Sequence, residues 1–414
     1  MDRRSYARGQ PRSSYRPPHS STGTAAAQNP NANNRSSNFD RRARGGDGSG
    51  GRCSEIHRSS LVSGNSRREG SDDRRLSDNV VGTCTLMCPE RERAQRERLR
   101  DLSVFERLNG DRKMSSPSLA VKKFCRTIST NKASDLRPLS VLEDTLKYLL
   151  SLVDNSDHPF EVIHDFVFDR VRSIRQDLSI QNLYNDRAIH MYEEMVKFHI
   201  ISDYKLRRCS PSPHTSSAQF LNMEQLMKAL TSLFNLYGAN RENKPKYENE
   251  AQFCSFYILL HLDSDNKSKG ESLALWLRNV PSPIMKSKEV SFSRRMLRAY
   301  RMGNYKQFFC TARAEASYMQ YCILESCFNK VRAFALACIN HCGYKLHPFP
   351  LASLSKILLM TVLEVESFCH SCGLETHTDE KGEKFLNTKQ AIFACPKDGF
   401  MNYSCLGLEH YEKQ

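Results

Sequence analysis

The fold is decided by residues 141–153, VLEDTLKYLLSLV, where apolar side chains recur at alternating steps of four and three residues. The stripe consists of Leu142, Leu146, Leu149 and Val153. Side chains three and four positions apart lie on one face of an α-helix, whereas a half-buried strand alternates every second residue. The spacing therefore predicts an amphipathic helix that buries one face.

Similar stripes continue along the chain and predict a succession of paired helices from about residue 117 onward. They are Ile163, Phe166, Val171 and Ile174; Ile189, Tyr192, Val196 and Ile200; and Leu226, Leu230, Leu233 and Tyr237. Breaks such as SDHPF and ENKPK carry the Pro, Ser and Asn that end helices. The apolar run at residues 253–262 is about half the ~20 residues that cross a bilayer, so it predicts a buried helix.

The longest predicted helix covers residues 306–341, and its apolar stripe ends at Cys338 and Cys342, which we expect in the core. Two short helices follow at residues 351–360 and 362–372. The second begins with the capping-box pattern Thr361-x-x-Glu364. Residues 374–396 then predict a hairpin with its turn at 379–382. Two helices followed by a two-stranded wing are the order of a winged helix, so the pattern predicts a stack of paired helices with a winged-helix cap and no evident cleft.

The net charge of +15 arises from 61 Lys and Arg against 46 Asp and Glu in 414 residues. Residues 1–79 hold 15 Arg, no Lys and 8 acidic residues, a net of +7, and the other +8 is spread over the remaining 335 residues. Those first 79 residues also contain 15 Ser and 9 Gly with few apolar side chains. Such a composition buries too little apolar surface to offset chain entropy, so we expect a disordered basic arm.

Two basic regions are candidates for RNA contact. Arg41, Arg42 and Arg44 lie in the arm, where Gly45 and Gly46 follow Arg44, as in Arg-rich segments that contact phosphates and stack on bases. A solvated tail and a transit peptide are the alternatives for this arm. At the predicted wing, Lys381 and Lys384 lie in or beside the turn and Lys389 on the return strand, where they suit phosphates but carry no base code. Alternatively, the wing packs against a partner protein.

Fifteen cysteines without a secretory signal indicate reduced thiols rather than a disulfide framework. Zinc binding was considered for Cys84 with Cys88, and for Cys369, His370 and Cys372 with His377, Cys395 and Cys405. The spacings fit no standard zinc pattern, which favours buried thiols over a metal site. Phosphate-binding loops, metalloprotease and hydrolase motifs are missing from the sequence, so we expect no enzyme and no cofactor.

Several strings resemble, in order, the SAC-three/GANP family of nuclear mRNA-export factors. They are residues 82–97, GTCTLMCPERERAQRE; 102–107, LSVFER; 121–127, VKKFCRT; 136–150, LRPLSVLEDTLKYLL; 169–181, DRVRSIRQDLSIQ; 191–200, MYEEMVKFHI; 223–237, MEQLMKALTSLFNLY; and 248–262, ENEAQFCSFYILLHL. Residues 169–181 are the most specific of them. The resemblance implies a helical PCI-type core and a scaffold subunit of the nuclear transcription-and-export complex, TREX type 2.

The resemblance also implies partners: a second PCI-domain subunit, a small acidic subunit shared with the proteasome, and RNA. Centrin and pore-anchoring subunits bind a helical arm that long members carry beyond this region, so we do not expect them here, nor a membrane contact. Structural or partner-binding roles in the matched strings are implied for Cys84, Cys88, Pro89, Arg172, Arg175, Gln176, Asp177 and Glu250.

Helical spacing gives some of these residues two possible roles. Arg172 and Arg175 share a face, and they serve either as a patch for phosphate or an acidic partner, or as ion-pair partners of carboxylates such as those of residues 248–250. Residues 89–101 offer Glu92–Arg96 and Arg93–Glu97 pairs that favour a solvated helix face over a phosphate contact.

Together these observations predict a mostly α chain: a basic arm at 1–79, a motif-bearing linker and helix at 80–116, a helical PCI-type repeat region at 117–345, and a winged helix and tail at 346–414. The predicted function is a nuclear, non-enzymatic scaffold of mRNA export that binds RNA and a second PCI subunit. The alternative is a centrosomal or proteasome-lid-like assembly scaffold without RNA binding.

Overall fold

The computed structural model describes residues 80–127, 132–155, 158–242, 247–263, 272–396 and 401–412. These residues are mostly helical, as predicted. In chain order the helices are α1 (Glu90–Leu99), α2 (Leu139–Asn155), α3 (Phe160–Ile180), α4 (Asp186–Arg208), α5 (Pro213–Ala239), α6 (Glu250–Leu260), α7 (Leu273–Asn279), α8 (Ser282–Met285), α9 (Lys288–Arg301), α10 (Tyr305–Glu315), α11 (Tyr318–Cys342), α12 (Leu351–Leu358), α13 (Val362–Ser371) and α14 (Glu409–Glu412). Three short 3-10 helices lie at Val104–Glu106, Leu108–Gly110 and Ala133–Asp135.

Side-chain caps fix where several helices begin. The Asn185 side chain accepts the amide hydrogen of Ala188 at the start of α4, and Ser212 does the same for Thr215 at the start of α5. Each bond satisfies one of the backbone donors that a first helical turn leaves without an intrahelical partner. The caps therefore fix the first residues of α4 and α5, which the Pro, Ser and Asn of the loops indicate only roughly.

The helices pack along their apolar stripes, as the spacing predicted. α2 packs on α3, α4 on α5, α6 on α9 and α11 on α4. Leu142, Leu149 and Leu230 are fully buried, and every residue of α6 apart from Gln252 is buried. No helix in the described part of the chain is long and apolar enough to span a membrane.

The long helix expected at residues 306–341 is wrong, because α10 ends at Glu315 and α11 begins at Tyr318. Ser317 and Gln320 form a capping box at the break, so the chain restarts a helix there. The assignment of two cysteines to the core also fails: Cys338 is only partly buried and Cys342 is exposed.

The carboxyl-terminal part combines α12 and α13 with a three-stranded antiparallel sheet. Its strands are β1 (Phe349–Pro350), β2 (Thr376–Thr378) and β3 (Lys384–Leu386), in the order β1-β3-β2. The predicted hairpin is present, with Asp379 and Gly382 in its turn, where Gly382 takes a φ of 80° that favours glycine. The short β1 strand, which precedes α12, was not predicted.

Candidate functional site

The segment before α2 lies across α3, and the amide side chain of Gln181 holds it there. The Gln181 Oε1 atom accepts the amide hydrogen of Gly82 at 2.8 Å, and its Nε2 donates to the carbonyl of Arg137 at 2.9 Å. A Cβ atom on Gly82 would approach the Leu136 carbonyl oxygen to 2.6 Å. Only glycine therefore allows this close approach of the two backbone segments.

Asp177 is a second anchor for the same segment. Its buried carboxylate accepts from Lys122 Nζ at 2.7 Å and from Arg137 Nε at 2.8 Å. Arg137, also fully buried, extends the network by donating to Ser173 Oγ at 2.8 Å and to the Met87 carbonyl at 3.3 Å. Two cations and several hydrogen bonds thus compensate one desolvated carboxylate, as a buried charge requires.

Glu106 forms a third, separate anchor at the middle of α3. Its carboxylate pairs with Arg96 of α1 and, at 3.1 Å, with Arg170 of α3. It also accepts the backbone amides of Ser103 at 3.1 Å and Val121 at 3.0 Å. The Glu106 side chain is fully buried, so this group ties α1, the linker and α3 together from inside.

The interpretation of α1 as a solvated face is wrong for one of its arginines. The predicted Glu92–Arg96 and Arg93–Glu97 pairs exist, at 3.5 and 3.2 Å. Arg96, however, is 4% exposed and turns its charge toward Glu106. The sequence analysis missed Glu106, although residues 103–106 carry the capping-box pattern that the structure contains.

Three residues of the 169–181 string contact Phe124 or Cys125, in the segment between α1 and α2. Gln176 donates to the Cys125 carbonyl at 2.7 Å, and Asp169 accepts the Phe124 amide at 3.2 Å. The Arg172 guanidinium lies over the Phe124 ring, 3.9 Å from its centroid, in a cation–π contact. Burial lowers the pKa of Arg172.

The expected ion pairs of Arg172 and Arg175 with carboxylates of residues 248–250 are wrong. Within the described residues neither arginine forms a salt bridge, because Arg172 stacks on a ring and Arg175 donates to Gln225 Oε1 at 3.1 Å. Glu250 instead pairs with Arg241 at 2.6 Å. Burial lowers the pKa of Arg175.

Arg175 and Glu250 nevertheless line one groove of about 1040 Å³ between α5, α6 and α7. Its aromatic wall is formed by Phe234, Tyr257 and Trp276, with the Tyr257 and Trp276 ring centroids 4.3 Å apart. The expectation of a fold without a cleft is therefore wrong. Apolar rings beside paired charges suit a bound segment or small molecule better than bare phosphate.

Cys84 and Cys88 lie in the docked segment as buried thiols. Their sulfur atoms contact the carbonyls of Leu86 at 3.3 Å and Pro89 at 3.6 Å. Burial raises the pKa of the Cys88 thiol to about 12, so the thiol stays protonated and is a poor nucleophile. Pro89, also buried, immediately precedes α1, so these motif residues pack the turn that leads into the helix.

The six carboxyl-terminal residues that were considered for zinc together with Cys84 and Cys88 are not arranged as a metal site in the described part of the chain. Cys369 and Cys372 are fully buried, and burial raises the pKa of their thiols to about 12 and about 11. His370 is within 3.0 Å of Thr376 Oγ1, and Cys395 is exposed. Among the residues with described positions, no group of three or more His, Cys, Asp or Glu side chains is arranged to hold a metal ion.

The three hairpin lysines differ in whether their side chains have a partner within the protein. Lys381 is exposed in the turn, whereas Lys384 pairs with Glu366 of α13 at 2.5 Å. Lys389 does not lie on the return strand: it follows β3 in a bend with a φ of 63°, and its Nζ donates to the His341 carbonyl. The arm candidates Arg41, Arg42 and Arg44 lie outside the described residues.

Comparison with known proteins identifies the family to which this chain is similar. Residues 87–378 match the SAC3/GANP family. SAC3 family protein B of Arabidopsis thaliana is 35% identical over 340 residues, which are 81% of this chain and 20% of that protein. SAC3 family protein 1 of Schizosaccharomyces pombe is 32% identical over 347 residues, 77% of this chain and 32% of that protein.

Protein xmas of Drosophila melanogaster is 29% identical over 274 residues, 63% of this chain and 13% of that protein. The chain thus spans between a fifth and a third of the length of the two SAC3 relatives. All three anchors that dock the amino-terminal segment, at Glu106, Asp177 and Gln181, fall within the matched residues. The chain belongs to the SAC3/GANP family.

Proposed function

We propose that this protein is a non-enzymatic scaffold subunit of the nuclear transcription-and-export complex, TREX type 2, and acts in mRNA export. In this proposal the helical stack is a PCI-type repeat region capped by a winged helix, with boundaries near residues 117–345 and 346–414. It pairs with a second PCI-domain subunit, carries a small acidic proteasome-shared subunit, and binds RNA through the arm and the hairpin turn.

The observation that carries the pairing is the apolar surface of the carboxyl-terminal unit. Tyr344, Leu346, Leu363 and Ile392 are 78%, 87%, 70% and 70% exposed. Several large, exposed apolar side chains within residues 344–392 are typical of a region that another protein covers. The unit also has the element order β1-α12-α13-β2-β3 after α11, which supports a winged-helix cap.

RNA binding is supported by the basic composition and by the exposure of Lys381. One observation favours the second candidate, an assembly scaffold without RNA binding: Lys384 and Lys389 already have partners in Glu366 and the His341 carbonyl. Two of the three hairpin lysines are therefore less available for phosphates. Deletion of residues 1–79, compared with Lys381→Glu, separates the contribution of the arm from that of the hairpin.

Affinity purification from nuclei tests the proposal as a whole. We expect the tagged full chain to recover a PCI-domain subunit, a small acidic subunit and polyadenylated RNA, with the RNA lost as salt rises. Recovery of proteasome-lid or centrosomal subunits without RNA would support the second candidate and contradict the export function.

A further inference from the structure

The positive charge of residues 80–414 is concentrated in one stretch around α9 rather than spread evenly along the chain. Residues 286–313 contain eight Lys and Arg and one Glu, a net of +7, while residues 80–414 as a whole carry +8. The expectation that the other +8 is spread over residues 80–414 is therefore wrong. Within this stretch α9 alone carries five Lys and Arg and one Glu, a net of +4, and the other three charges belong to Lys286, Lys306 and Arg313.

α9 divides into a buried face and a basic face. It buries apolar side chains that include Phe292, Met296 and Leu297. Its exposed side carries Arg294, Arg295, Arg298 and Arg301. Arg294, Arg298 and Arg301 are four and three residues apart, so they form a row about 10 Å long on one side of the helix.

Three of the four guanidinium groups are uncompensated. Arg295 pairs with Glu315 of α10. Within the part of the chain that the structure describes, Arg294, Arg298 and Arg301 form neither a salt bridge nor a hydrogen bond through their side chains. A row of unpaired arginines raises the local positive potential and attracts a polyanion.

The row opens onto apolar surface at the carboxyl end of α9. The groove along the arginines measures about 540 Å³, and a neighbouring pocket of about 410 Å³ shares Arg301 and Met302 with it. Met302 is 75% exposed, and the Phe334 ring, also in this pocket, is 47% exposed. Gly303 brings the backbone against this ring, since a Cβ there would lie 2.5 Å from Phe334 Cε1.

We infer that the α9 face, defined by Arg294, Arg298, Arg301, Met302 and Phe334, binds single-stranded RNA. Guanidinium groups contact successive phosphates, and the exposed ring beside Arg301 stacks on a base. An acidic protein segment would pair with the arginines, but it would offer no base to stack on the Phe334 ring. The inference deepens the RNA-binding part of the proposed function, on which its choice of ligand rests, and assigns it to a surface distinct from the arm and the hairpin.

The test measures binding of a short labelled oligouridylate to the full chain by fluorescence anisotropy over a series of salt concentrations. The triple change Arg294→Glu, Arg298→Glu and Arg301→Glu should weaken binding about tenfold or more and reduce the salt slope by about 2, because each single-strand phosphate contact contributes about 0.7. The matched control, Arg91→Glu, Arg98→Glu and Arg112→Glu, changes the net charge equally at exposed positions and should have little effect. Equal losses in both triple variants would overturn the inference.

Phe334→Ala separates the stacking contact from the charge. This change should weaken binding about tenfold while leaving the salt slope unchanged, because stacking involves no counterion release. Unchanged affinity, or displacement of the RNA by polyglutamate as efficiently as by unlabelled oligouridylate, would overturn the inference in favour of an acidic protein ligand.

The outcomes also separate this inference from the proposed function. If deletion of residues 1–79 or Lys381→Glu abolishes binding while the α9 variant binds normally, the proposed function stands and the α9 inference fails. If the unaltered chain binds no RNA under any condition, both fail. Circular dichroism of each variant verifies that the helices remain folded.

Discussion

Glu106 is the residue on which the amino-terminal segment depends most. Its carboxylate is fully buried between Arg96 and Arg170, and two backbone amides complete its hydrogen bonds. A buried ion group of this kind contributes little net stability compared with an apolar substitute, but removal of one member leaves the others charged and desolvated. The cost of a single change at Glu106 is therefore large.

We predict that Glu106→Gln lowers the free energy of unfolding by about 3–5 kcal/mol, because Arg96 and Arg170 lose their fully buried counter-charge and keep only the more exposed Glu92 and Asp169. Denaturant unfolding monitored by circular dichroism measures the loss. Glu224→Gln is the matched control, since Glu224 pairs with Lys228 on the surface and its loss should be much smaller. Equal destabilisation by the two changes would contradict the role of Glu106.

His199 is a fully buried, neutral histidine of α4. Its Nδ1 lies 2.7 Å from Asn222 Oδ1, and Asn222 donates back to the His199 carbonyl at 2.8 Å. Burial lowers the pKa of His199 to about 3, against the opposing effect of the Asn222 hydrogen bond. Arg175, His164 and Arg172 lower it further.

This pKa predicts a loss of stability in acid. Below about pH 6.5 the unfolded chain binds a proton at this histidine, whereas the folded chain does not until the pH approaches 3. Between about pH 7.5 and about pH 5.5 the unaltered chain should lose about 1.4 kcal/mol more unfolding free energy than His199→Asn, which keeps a donor to Asn222 but cannot titrate. Parallel pH dependences in the two proteins would contradict the prediction.

At the scale of elements, the sequence predicted which face of a helix is buried better than it predicted where a helix begins and ends. The stripe beginning at Leu142 is buried as expected, because burial follows directly from local spacing. The break between α10 and α11 was not predicted, because the apolar spacing continues through it. Ser317 and Gln320 nevertheless form a capping-box pattern at that position. The arginine partners could not be predicted, because Glu106 and Arg170 are 64 residues apart and meet only in the folded chain.

The capping box of α13 also fastens the tail of the carboxyl-terminal unit. Thr361 Oγ1 accepts the Glu364 amide at 3.2 Å, and the Glu364 carboxylate accepts the Ser404 amide at 2.9 Å. Glu364 thus serves two elements at once. Its loss should free the segment around Ser404 as well as the first turn of α13.

We predict that Thr361→Ala costs about 1 kcal/mol, the usual value of an N-cap, while Glu364→Ala costs more because it also releases the tail. Hydrogen exchange of the Ser404 amide separates the two effects. It should accelerate strongly in Glu364→Ala and only slightly in Thr361→Ala. Unchanged protection of Ser404 in Glu364→Ala would contradict the double role.

At the scale of the whole molecule, buried ion pairs, exposed arginines and exposed apolar side chains lie in different parts of the described chain. Buried charges hold the segment before α2 against α3, the α9 face is basic, and the carboxyl-terminal unit exposes large apolar side chains such as Leu363. The buried charges stabilise the fold, whereas the α9 face and the exposed apolar side chains of the carboxyl-terminal unit are available to partners. Composition alone predicted a basic protein, but only the fold separates the paired arginines from the unpaired ones.

The most direct test of the scaffold proposal is the mass, by light scattering, of the full chain co-expressed with a second PCI-domain subunit. We predict a one-to-one complex that Leu363→Asp with Ile392→Asp disrupts, because both side chains stand exposed on the carboxyl-terminal unit. The matched control, Val81→Asp with Leu99→Asp, alters side chains that are 70% and 66% exposed elsewhere and should leave the complex intact. A chain that stays monomeric beside the partner, or a complex indifferent to Leu363→Asp with Ile392→Asp, would contradict the proposal.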